Sequence, residues 1–114
     1  MVNKSVILPV TITLMLSAFQ TVAATEDQLN SIKHIGKLNG VALHCKFLTE
    51  ARRMKLALVA TLPKRRHLGQ TFDDSTNVSF LAFIQKQSVC PDKQQFILKV
   101  DAAVADLNKT FAQP

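Results

Sequence analysis

From Leu29 to Leu62 a single helical phase runs through the chain, and it restricts the fold more than any other feature. Leu29, Ile32, Gly36, Gly40, Leu43, Phe47, Ala51, Met54, Leu58 and Leu62 recur at intervals of three and four, the spacing that puts side chains on one face of an α-helix. Thr25 followed by Gln28, with Glu26 and Asp27 between them, forms a capping-box pattern with acids in the first turn, so a helix is expected to begin here. Pro63 must end or kink it, because proline lacks an N–H and disfavours helical geometry at the residue before it.

The phase admits one long helix over residues 25 to 62 or two in nearly the same register. A straight helix of that length would project from a domain this small, so a bend is expected at Leu38 to Gly40 or after Phe47. Gly40 is the weakest point, since a glycine inside a helix costs about 1 kcal/mol. Gly36 and Gly40 lie four apart on the stripe. They either let a second backbone approach closely or mark a turn at Asn39-Gly40.

Beyond Pro63, Leu68, Phe72, Thr76, Phe80 and Phe83 keep helical spacing, but Gly69 and the polar run 73 to 77 offer a new start, with Asp74 or Ser75 as N-cap. Val78, Phe80, Leu81, Phe83 and Ile84 then read as a short, very apolar helix that should be largely buried. Pro91 suits a first helical position, and Phe96, Val100, Ala103, Val104, Leu107 and Phe111 form an apolar stripe after it. No segment alternates with period two for long. The expected fold is all-α: a small helical bundle of three to five helices with one disulfide.

Compartment follows from the N-terminus. Lys4, the uncharged apolar run from Val6 to Ala18 and small residues up to Ala24 have the layout of a secretory signal, with cleavage expected after Ala24. A spanning helix needs about twenty apolar residues, and Pro9, Thr11, Thr13 and Ser17 interrupt a shorter run. The domain is therefore expected over residues 25 to 114, periplasmic or secreted. In an oxidising compartment Cys45 and Cys90, the two cysteines of the chain, are expected to bond to each other. A metal site would need further ligands, and no C-x-x-C occurs; no metal or cofactor is expected.

Without Lys4, thirteen Lys and Arg stand against eight Asp and Glu, a formal charge of +5. The excess concentrates around ARRMKLALVATLPKRRHLG, residues 51 to 69. Export removes nucleic acid as a partner, and with no Trp or Tyr there is little aromatic surface for base stacking. What remains is an envelope protein with an acidic surface or an anionic membrane surface. The apolar LALVAT stretch suggests burial on more than one side, which suits a core helix better than an interfacial one. Lys64, Arg65, Arg66 and His67 follow at a turn and, with Arg52 and Arg53, form the candidate partner-binding cluster; a merely solvated basic surface is the competing reading.

Catalysis has little support. No nucleophile elbow, zinc-protease helix, phosphate loop or dinucleotide fingerprint is present. His34 and His44 would stand about 15 Å apart along a straight helix, and like charge from Arg65 and Arg66 surrounds His67. A small enzyme using a histidine is the least supported alternative. Asn77-Val78-Ser79 and Asn108-Lys109-Thr110 match glycosylation sequons, which carry little weight behind a bacterial-looking signal.

The placement of the cysteines, late in an early helix ("LNGVALHC") and before the last one ("KQSVCP"), loosely resembles the pilotins of type II secretion. The compact one-disulfide layout also resembles acid-activated chaperones and periplasmic immunity proteins of contact-dependent toxin systems. Many pilotins carry a lipidation cysteine that this leader lacks. The resemblance covers layout only and implies a noncatalytic exported adaptor, inhibitor or chaperone-like protein, with no functional residues carried over.

Overall fold

The computed structural model describes residues 23–112; of the leader expected over residues 1 to 24, residues 1 to 22 lie outside them. Four helices follow one another among the described residues, with no strand: α1 (Glu26–His44), α2 (Leu48–Thr61), α3 (Arg66–Gln85) and α4 (Lys93–Phe111). The sequence-level class, an all-α bundle with one disulfide, is the observed one.

Helix α1 starts as its capping residues dictate. The Thr25 hydroxyl accepts from the Gln28 N–H at 3.1 Å, and the Gln28 side chain accepts from the Thr25 N–H at 2.9 Å. The break in the long phase comes at residues 45 to 47, so that α2 begins after Phe47 as in the second of the two expected placements and not at Leu38 to Gly40, and both glycines lie inside an unbroken helix. Lys46 takes a left-handed conformation (φ 61°), and the Phe47 N–H donates to the Ala42 carbonyl at 2.8 Å. This is a Schellman ending in which the backbone satisfies its own last carbonyls without a glycine. Helix α3 ends the same way: Gln87 has φ 49° and the Ser88 N–H donates to the Phe83 carbonyl at 3.1 Å.

Pro63 acts as expected. Helix α2 stops at Thr61, and Leu62 adopts ψ 139°, the extended geometry that a following proline imposes. The expected new start at Asp74 or Ser75 does not occur, because α3 runs unbroken from Arg66 through the polar run. Polar residues are tolerated mid-helix when they face solvent or a neighbour: Asp73, Asp74 and Asn77 are exposed, while buried Thr76 accepts from Asn39 Nδ2 at 3.2 Å. Pro91 stands one residue before the N-cap of α4; Asp92 caps that helix by accepting from the Gln95 N–H at 3.2 Å.

Chain direction alternates, so α1 and α3 run parallel, with α2 and α4 returning beside α1. The core is built from Ile32 and Ile35 of α1, Met54 of α2, Leu68 of α3 and Phe96, Val100 and Leu107 of α4, all at 1% exposure or less. Burying each such side chain contributes about 1.5–3 kcal/mol. On α2 the expected stripe is correct, with Ala51, Met54 and Leu58 buried, but Leu56 and Val59 are exposed. Burial on more than one side of LALVAT is thus corrected: among the described residues Leu56, Val59 and Ala60 of α2 are exposed, opposite its buried Met54 face.

The Cys45–Cys90 disulfide forms, with Cα atoms 5.7 Å apart. It joins the end of α1 to the connection between α3 and α4. In the chain-entropy picture, closing a loop of 45 residues stabilises the fold by about 4 kcal/mol.

Helix α3 has an unusual position. It lies along α1 and has no other helix backbone beside it among the described residues. Its apolar C-terminal half is therefore not largely buried: Val78 is 69% exposed, Leu81 55% and Ile84 46%. The sequence pattern gave an apolar segment correctly, but the fold supplies a partner for one face of it only.

Candidate functional site

The basic turn begins where Leu62 leaves the helical region. The Arg65 N–H donates to the Pro63 carbonyl at 2.8 Å and the Leu68 N–H to the Arg65 carbonyl at 3.1 Å, so the turn is tight and leads straight into α3. Lys64, Arg66 and His67 are exposed, and Arg65 is half-buried. No side chain caps the first turn of α3 and no acid lies in it. The positive end of the helix dipole thus adds to the field of these side chains.

Behind the turn lies a hollow of about 330 Å³. Its apolar wall is Leu58, Val59, Leu62 and Phe72, and Lys55, Lys64, Arg65 and Asp73 also line it. Gly69 belongs to the same wall, and a Cβ there would meet nothing within 4 Å. An apolar recess ringed by cations is a surface on which an acidic partner can seat an apolar side chain while its carboxylates meet the rim.

The structure divides the sequence-level cluster. Lys64, Arg65, Arg66 and His67 share the turn, but Arg52 and Arg53 lie at the other end of α2. Residue 53 is about 12 Å along the helix axis from Thr61. Arg53 pairs with Asp101 of α4, both side chains being nearly half exposed, so this residue bridges two helices of its own domain. Arg52 is exposed beside an adjoining depression that includes Asn39 and Leu43 and shares Lys55, Phe72 and Asp73 with the hollow. Lys55 joins the turn residues instead. Its place was legible in the sequence, because Lys55, Leu58 and Leu62 follow one another at helical spacing toward the turn.

The histidines are scattered. His34 and His67 are exposed; His44 packs on Phe83 and Phe80, with ring centroids 4.8 and 5.7 Å away. Among the described residues no three His, Cys, Asp or Glu side chains converge on a metal position. One buried carboxylate stands apart: Glu50 is 6% exposed, and its Oε2 lacks a hydrogen-bond partner among the described residues. No described helix is long and apolar enough to cross a membrane.

The fold defines the class, a four-helix all-α domain with a single disulfide. Comparison with known proteins found no matching family model, no similar curated protein and no similar solved structure.

Proposed function

We propose that this is a noncatalytic exported binding protein, an adaptor, inhibitor or chaperone-like protein that docks on an acidic surface of another cell-envelope protein. The observation that carries the reading is the basic turn itself, in which Lys64 and Arg65 line an apolar hollow walled by Leu58, Leu62 and Phe72 and Arg66 stands exposed beside them. Charge alone would give a solvated surface. The recess gives that charge something to orient, because interface energy concentrates where a desolvated apolar anchor is enclosed by polar contacts. Export after Ala24 belongs to this proposal, and the disulfide suits an oxidising compartment.

The test is a variant with Lys64→Ser, Arg65→Ser and Arg66→Ser, checked for native helix content and compared with the parent in pull-downs from envelope extract. Loss of the same partner band supports the reading; equal recovery of it removes the basic turn from the interface. Binding to anionic lipid or lipopolysaccharide is the second reading, favoured by the exposure of consecutive charges on one turn. Vesicle co-sedimentation across a salt series separates the two, since purely electrostatic surface binding falls as salt rises.

A further inference from the structure

A groove of about 490 Å³ runs between α1 and α3. This volume lies within the range of small-molecule sites, about 300–1,000 Å³. Its floor is Val41 of α1 with Val78, Ala82 and Phe83 of α3. Because the two helices are parallel, the polar lining sorts by position. Lys33 and Lys37 flank one end together with Ser75 and Asp74, and Lys86 and Ser88 flank the other. Three lysines and one carboxylate thus line an apolar trough. Lys33, Lys37 and Val41 follow at intervals of four, so two ammonium groups and the apolar floor share one face of α1.

We infer that this groove is a binding site for a single-chain carboxylate amphiphile, a free fatty acid. Its carboxylate would lie between Lys33 and Lys37 and its chain along Val41, Val78, Ala82 and Phe83. Charge complementarity sets the sign of the head group, since cations outnumber acids three to one on the lining. The trough sets the tail: it follows the helix pair over about 12 Å, the axial rise from residue 33 to residue 41, with an apolar floor along that length. Lysine stems can lie along an acyl chain while their ammonium groups stay in water. Val78 is 69% exposed without a ligand and is the floor residue that gains most cover from one. The site shares no lining residue with the hollow behind the basic turn, so the two stand or fall separately.

The experiment is titration of dodecanoate, kept below its micelle concentration, into the isotopically labelled full-length exported protein, followed by amide NMR. The expected result is saturable shifts at Val41, Val78, Ala82 and Phe83 with one equivalent bound. Dodecyltrimethylammonium should bind at least about tenfold more weakly, and Lys33→Glu with Lys37→Glu should weaken dodecanoate by about tenfold, two exposed charge contacts being reversed. Each methylene removed from the tail should weaken binding by about twofold, roughly half the effect of full burial. Ala82→Trp, which fills the trough, should abolish the shifts, and retained helix content would show that the fold survives. The inference is overturned if dodecanoate gives no saturable shifts, if the cationic amphiphile binds as tightly, or if the lysine reversal leaves affinity unchanged. Association with anionic vesicles without binding of the monomer would also overturn it, by marking a bilayer surface instead of an acyl site.

Discussion

The two sides of α1 are held by different physics. Toward α2 and α4 the contact is a conventional core of large apolar side chains, Ile35, Met54, Phe96, Val100 and Leu107. Two polar links lie at its margin: Ser31 donates to the Asp106 carboxylate at 2.5 Å, and Thr61 of α2 donates to Asn108 of α4 at 2.9 Å. Toward α3, whose Leu68 and Phe72 enter that core, the helices meet at Gly36 and Gly40 through absence of side chains. A Cβ on Gly40 would stand 2.7 Å from the Thr76 carbonyl oxygen and 2.8 Å from the Phe80 nitrogen; one on Gly36 would stand 2.9 Å from the Phe72 oxygen. Ser79 of α3 donates to the Lys37 carbonyl of α1 at 2.6 Å, and Asn39 reaches Thr76 across the same seam. A side-chain core surrounds its helices, whereas a backbone seam uses one narrow strip of each. That is why α3 can be firmly docked and still leave Val78, Leu81 and Ile84 open to solvent.

The first way to break the comparison is to remove the link common to both sides. Replacing Cys45 and Cys90 with Ser should cost about 4 kcal/mol, read as a lowered denaturation midpoint in chemical unfolding. Next, Phe96→Ala empties the centre of the core, where Phe96 is 1% exposed and stacks at 5.1 Å on Phe47; a loss of about 3–4 kcal/mol is expected. Gly40→Ala attacks the seam. Alanine gains about 1 kcal/mol of helix propensity, but α3 must move because two of the close atoms are its own backbone. A net loss of about 2 kcal/mol is expected from overpacking. The smallest effect belongs to the open back of α3: Leu81→Ser should change stability by about 0.5 kcal/mol or less, measurable in the same unfolding series. A large loss there would mean that Leu81 is buried against something.

The sequence carried the helices well where periodicity and capping agree. Thr25 with Gln28, Pro63, and the Phe96, Val100, Ala103, Leu107 stripe each appear in the structure as read. It carried less where tertiary contact decides. The polar run 73 to 77 resembles a loop, yet it continues a helix because its buried Thr76 finds Asn39 on α1, a partner no local pattern announces. The break at residues 45 to 47 was equally hard to locate, since Lys46 reaches a left-handed conformation that a glycine would ordinarily mark. At the candidate site, the turn residues 64 to 67 were legible as a cluster of adjacent charges. Arg53 was not separable from them by spacing alone, because only the placement of α4 brings Asp101 to it. The groove along α1 and α3 was invisible for the same reason: its two walls are far apart in the chain.

Gly36 and Gly40 could mark a turn or a close approach, and the structure assigns the close approach. The most direct test compares two glycines inside helices, Gly40 at the seam and Gly69 in α3, where a Cβ would meet nothing within 4 Å. Under one urea series, Gly69→Ala should raise the unfolding free energy by about 1 kcal/mol through helix propensity, and Gly40→Ala should lower it. Shifts of opposite sign are the predicted result. Two alanine variants stabilised alike would contradict the account, because α3 would then have room to spare against α1.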